Sequence, residues 1–167
     1  MKILKLAEGS FINCHENIIC IGKPGAGKSH IAIALGLAAI QAGYRVRFIS
    51  VMQLVQELQL AEAEYRLPRH LKNWNKINLV ILDELGYVPL GDNGKLLFHF
   101  ISQRYEQGSL IITSNLEFSR WVEVLQDPAL TSALLDRLTH HSHILLFEEG
   151  SYRLRERIAS HESEVLD

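Results

Sequence analysis

Short apolar runs alternate with longer stretches of helical periodicity along this chain. The first run, residues 17–21 (NIICI), ends at Gly22 and a glycine-rich loop. Residues 29–42 are rich in Ala, Ile and Leu and stop at Gly43, which predicts a helix with Ile31, Leu35 and Ala38 in the core. Residues 44–50 (YRVRFIS) alternate strictly, with Val46 and Phe48 on one face and Arg45 and Arg47 on the other. That pattern predicts a strand with one less buried face, as at a sheet edge. Helical spacing returns over residues 51–64 until Pro68 interrupts the chain. Residues 79–82 (LVIL) are wholly apolar, the signature of a central parallel strand. An amphipathic helix over residues 93–106 is closed by Gly108, and residues 110–113 form the next strand before a polar turn at Ser114 and Asn115. A helix over residues 128–140 leads into a last strand over residues 143–147. Strands alternating with helices predict an α/β fold: a five-stranded parallel sheet sandwiched by helices, in one domain spanning residues 1–167.

Length agrees with one such domain, since 167 residues leave room for little else. Charges nearly cancel, 17 Lys and Arg against 19 Asp and Glu, so any contact with nucleic acid must be local rather than a bulk-charge effect. No stretch reaches the roughly 18 unbroken apolar residues of a membrane span, and the first residues lack a secretory leader pattern. The two cysteines, Cys14 and Cys20, have no metal-site spacing and suit a reducing compartment, so a cytoplasmic protein without membrane contact is expected.

Chemistry enters at the first strand's end. Gly22-Lys-Pro24-Gly25-Ala26-Gly27-Lys28-Ser29 satisfies the phosphate-loop pattern and lies between a predicted strand and a predicted helix. Glycines let the backbone turn N–H groups onto phosphates, and the following helix adds the positive end of its dipole. Lys28 would reach the outer phosphates, and the Ser29 hydroxyl would hold Mg²⁺. The run Asn78-Leu-Val-Ile-Leu-Asp83-Glu84 delivers two carboxylates at a strand's C-terminal end, where open α/β sheets bind ligands. Asp83 would hold the metal and Glu84 would orient and activate the attacking water. No Asn-Lys-x-Asp guanine-reading motif is present, which favours ATP.

With these motifs placed, the chain resembles the AAA+ ATPases, specifically the IstB/DnaC group of helper ATPases. The resemblance runs over residues 4–154 and is carried by GKPGAGKSHIAIALG, GYRVRFIS, LVILDELGYVPL, IITSNLEFSRW, DPALTSALLDRLTHHSH and SYRLR. These are more similar to IstB, the ATPase partner of an insertion-sequence transposase, than to the helicase loader DnaC. The resemblance assigns the loop and the adjacent His30 to nucleotide, and Asp83 and Glu84 to the Walker B pair. It implies that Asn115 is the polar sensor that positions the hydrolytic water. Arg137, in LLDRL, matches the arginine finger that enters a neighbouring subunit's site, and Arg153 is either a second phosphate sensor or a solvated side chain.

The expected activity is ATP hydrolysis, weak in an isolated core. The expected setting is a nucleotide-dependent homo-oligomer on DNA, duplex favoured over single strands, assisting a transposase. A helicase-loader role in replication and a nucleotide-binding remnant without turnover stand as alternatives. Family members carry a helical N-terminal domain, whereas only 21 residues precede Gly22 here, so a truncated core without a C-terminal helical lid is expected. Two further features stay open. Residues 65–76 (YRLPRHLKNWNK) interleave Arg66, Arg69, Lys72 and Lys76 with Tyr65 and Trp74, as either a DNA-facing segment or a solvated loop. His140, His141 and His143 look like metal ligands, but a helix-to-strand boundary between them argues against convergence.

Overall fold

A computed structural model describes residues 2–148. Two short helices, α1 (Lys2–Ala7) and α2 (Ser10–Asn13), precede β1 (Asn17–Gly22). Then follow α3 (Lys28–Gln41), β2 (Val46–Ser50), α4 (Val51–Ala63) and α5 (Leu67–Trp74). The chain continues through β3 (Leu79–Leu85), α6 (Gly94–Arg104) and β4 (Ser109–Ser114). It ends in α7 (Val122–Leu125), α8 (Pro128–Thr139) and β5 (Ser142–Phe147).

All five strands pair in parallel, in the order β2-β3-β4-β1-β5. Apolar runs in β1, β3 and β4 are buried on both faces, so alternate residues feed two separate cores. Ile19, Ile21, Val80, Leu82, Leu110 and Ile112 pack beneath α4 to α8. Ile18, Cys20, Leu79, Ile81 and Ile111 pack with α1, α2 and α3. Helices therefore cover both faces, as the alternation of elements predicts, and the parallel order brings the ends of β1, β3 and β4 to one rim.

Four local expectations need correcting. Strand β3 runs three residues past Leu82, to Leu85, because Asp83 stays buried and paired within the sheet. Strand β2 does lie at the edge, but its arginine face is the covered one. Ile49 on that face is buried, and the Arg47 guanidinium lies 4.1 Å from the Trp74 ring centroid while ion-pairing Glu57. Phe48, on the opposite face, is 47% exposed. The segment around Pro68 is a helix, not a loop, because proline at its first turn gives up only an N–H that has no intrahelical partner. Trp74 is a core residue of that helix, edge-on to Phe100 at 5.1 Å, and is closed to base stacking.

Helix α4 starts at a capping box. The Ser50 hydroxyl accepts from the Gln53 N–H at 3.2 Å, and the Gln53 side chain accepts from the Ser50 N–H. Helix α8 starts at Asp127, whose carboxylate accepts from the Leu130 N–H at 2.9 Å, with Pro128 next. The first of these caps sets α4 directly on the end of β2.

Candidate nucleotide site

The phosphate loop leaves β1 at Gly22, and its exposed apex carries Lys23, Pro24 and Gly25. Gly25 and Gly27 take φ values of +81° and +97°, open to glycine at little cost. Their conformations turn the chain into the first turn of α3, where Lys28, Ser29 and His30 begin the helix. Lys28 is 5% exposed, and its ammonium donates to the Lys23 carbonyl at 2.8 Å, bridging the loop. Burial pulls its pKa below the usual lysine value, opposed by the nearby Asp83. An anion in the loop would favour the charged form of this buried ammonium.

Across the rim, the Ser29 hydroxyl donates to Asp83 Oδ1 at 2.8 Å, joining the phosphate loop to the end of β3. The Thr113 hydroxyl, one strand over on β4, donates to the same Asp83 oxygen. Thr113 Oγ1 also accepts from the Glu84 N–H at 3.0 Å. That bond coincides with a register break between Leu82 and Leu85 in the β3–β4 ladder and with a left-handed Glu84 (φ +67°). A non-glycine residue in that conformation is costly and persists where surrounding bonds over-determine it. Asp83 is thereby directed into the sheet rim, while Glu84 is turned outward and exposed.

Asn115 follows β4 and lies against the turn after β3: its Oδ1 is 2.7 Å from where a Cβ on Gly86 would be. That oxygen is buried without a hydrogen-bond partner among the described residues. Tyr87 sits beside the same turn, and its pKa is raised by burial and by the charges of Glu84 and Asp83. Cys20 lies beneath the loop, its thiol pushed up to about 12 chiefly by burial. It is a core residue, inert as a nucleophile.

Lys28, Ser29, Asp83, Glu84 and Asn115 thus meet at one rim. Arg137 does not join them. It lies near the end of α8, lining a surface cavity with Asn17 and Leu110 at the opposite ends of β1 and β4. Its guanidinium donates to the Ala133 carbonyl at 3.1 Å and lies 4.9 Å from the Phe98 ring centroid. Arg153 falls outside the described residues. Thr113 is the residue that pattern reading passes over. The available signal was a lone hydroxyl closing an otherwise apolar run, LIIT, in a strand beside Asp83.

The two oxygen donors Ser29 and Asp83, converging within 2.8 Å at the foot of an anion-binding loop, fit a hard divalent cation such as Mg²⁺. Fold and rim together define a phosphate-loop nucleotide-binding domain of the AAA+ class. Solved structures with this fold include the DnaC helicase loader, at a TM-score of 0.71 and 22% identity with 86% of each chain covered. Domain III of the Thermotoga maritima replication initiation protein DnaA gives a TM-score of 0.73 at 20% identity, covering 98% of this chain and 67% of that one. Within that class the chain belongs to the IstB-like ATP binding protein family, whose model matches residues 1–160. It is 43% identical over 156 residues to a Pseudomonas aeruginosa protein named for ATP binding in insertion sequence IS21, covering 93% of this chain and 59% of that one. A Geobacillus stearothermophilus counterpart from insertion sequence IS5376 is 43% identical over 157 residues, covering 93% and 62%. The chain therefore spans about three-fifths of the length of these relatives.

Proposed function

We propose that this chain binds ATP with Mg²⁺ and hydrolyses it, as the ATPase core of a helper that acts on DNA for an insertion-sequence transposase in the cytoplasm. The observation that carries the reading is the chain of hydrogen bonds from Ser29 through Asp83 and Thr113 to the Glu84 backbone. It couples the phosphate loop to an outward carboxylate through neighbouring strands. The loop amides and Lys28 would hold the β- and γ-phosphates, and His30, exposed at the start of α3, would contact the nucleotide. Ser29 and Asp83 would hold the cation, whose charge would offset that of the phosphates. Glu84 accepts a proton from water as the water oxygen bonds to the γ-phosphorus. The bond to the ADP oxygen breaks, and Asn115 orients the water through its unpaired amide oxygen.

Arg137, remote from its own chain's loop, acts on the site of the next subunit in a nucleotide-dependent homo-oligomer, where such a residue is worth roughly 10³–10⁵ in rate. Helix α5 supplies local positive charge through Arg69 and Lys72, both exposed, for phosphate contacts on duplex DNA. The insertion-sequence names of the relatives support the transposase as client. Hydrolysis measured across protein concentration, with and without duplex DNA, tests the assembly. Specific activity that climbs with both is expected. Activity independent of concentration contradicts a site completed between subunits, and stimulation by single strands alone favours the helicase-loader role.

A further inference from the structure

At the rim opposite the phosphate loop, a second cluster of chemically active side chains comes together. Glu106 follows α6, and His140 and His141 follow α8. One ligand atom from each, a carboxylate oxygen and two imidazole nitrogens, all lie within 4.8 Å of one another. Helix α8 stops at Thr139 and the chain turns toward β5, so the two consecutive imidazoles lie side by side with ring centroids 4.2 Å apart. Glu106 is delivered by a left-handed backbone conformation, φ +59°. The three histidines do not converge as a trio, as the helix-to-strand boundary between them implies. His143, on β5, turns instead to Glu16, with Nε2 2.7 Å from Oε2.

We propose that Glu106, His140 and His141 form a site for a divalent metal of the zinc class, with water completing its coordination. Two imidazoles and one carboxylate suit Zn²⁺, Co²⁺ or Ni²⁺, whereas Mg²⁺ favours an all-oxygen shell. Three protein ligands with an open fourth position is a common zinc arrangement. Tyr105 supplies a partner of the kind ligating histidines use: its hydroxyl lies 2.7 Å from His140 Nδ1. Asp136 lines a surface cavity with His140, and the neighbouring guanidinium of Arg137 is engaged with the Ala133 carbonyl and the Phe98 ring. Glu106 and His141 share a surface cavity with Asn17 and Leu110, at the far ends of β1 and β4 from Ser29 and Asp83. The site is therefore separate from the one that fits Mg²⁺. A metal there would staple the end of α6 to the end of α8, one turn beyond Arg137.

Titration calorimetry with zinc sulfate tests this, using the full chain with Cys14→Ser to remove the exposed thiol, in excess Mg²⁺ and without nucleotide. One equivalent of Zn²⁺ is expected, with a rise in melting temperature by mass action. Glu106→Gln and His141→Ala should each weaken binding at least about tenfold and abolish the melting shift, while Ser29→Ala and His143→Ala leave both unchanged. Glu106→Gln is an exposed, near-isosteric change, so it keeps the test decisive if His141→Ala folds poorly. Absence of zinc binding, or binding unaltered by Glu106→Gln and His141→Ala, overturns the proposal.

Discussion

Thr113 explains how an ordinary strand end becomes a nucleotide rim. Its one hydroxyl donates to Asp83 and accepts from the Glu84 N–H, so it sets the directions of both carboxylates. Thr113→Val keeps the branched shape and removes both bonds. We expect a loss of about 1–3 kcal/mol in stability, read by chemical denaturation, because a buried carboxylate and a strained amide lose partners. Hydrolysis should fall by at least about tenfold with nucleotide affinity little changed, since Lys28 and the loop amides remain. A Thr113→Val protein with unchanged turnover would separate this network from the chemistry. Lys28, Ser29, Asp83 and Glu84 were legible from sequence because their spacing is dictated by a ligand's shape. Thr113 was not, because its role arises only from the lateral pairing of β3 with β4, 30 residues apart for the Thr113–Asp83 bond. Asn115 was legible by resemblance alone; the fold adds its position against Gly86 and its unpaired amide oxygen.

Among the elements, the sheet was readable from periodicity because four of its five strands carry apolar runs. Helix α5 was misread because Pro68 looks like a breaker until its place in the first turn is known. The sense of β2 was inverted for a related reason. Arg45 and Arg47 suggest solvent, but α5 covers Arg47 with Trp74 and Glu57 pairs with it. What holds α5 to the sheet is Arg104, at the end of α6 and 1% exposed. Its guanidinium donates to the carbonyls of Trp74 at 2.9 Å, Ile77 at 3.0 Å and Ser109 at 3.2 Å. One side chain thus ties the end of α5 to the approaches of β3 and β4. Arg104→Met should destabilise the domain by about 3 kcal/mol or more in chemical denaturation, because several buried carbonyls lose their donor together. A change below about 1 kcal/mol would mean that water replaces the guanidinium there.

At the scale of the whole molecule, the two rims of the sheet have different contents. The rim at the C-terminal ends of β1 and β3 holds Lys28, Ser29, Asp83 and Glu84. Arg137 and the Glu106, His140 and His141 cluster occupy the other side. A chain with its site at one rim and Arg137, the proposed trans-acting cation, at the other is suited to head-to-tail assembly, which gives rings or helical filaments. Mixing Arg137→Ala with Glu84→Gln subunits tests that arrangement. Neither variant alone should turn over, and the mixture should recover activity at interfaces that pair an intact Glu84 with an intact Arg137. Failure of every mixing ratio would contradict action of Arg137 in trans. The central claim, hydrolysis at the coupled rim, is tested most directly by measuring ATP binding and steady-state turnover side by side for the wild-type chain and Glu84→Gln. The account predicts affinities within a few-fold of each other and turnover lower by at least about 10² in the variant. Equal turnover in the two proteins would contradict it.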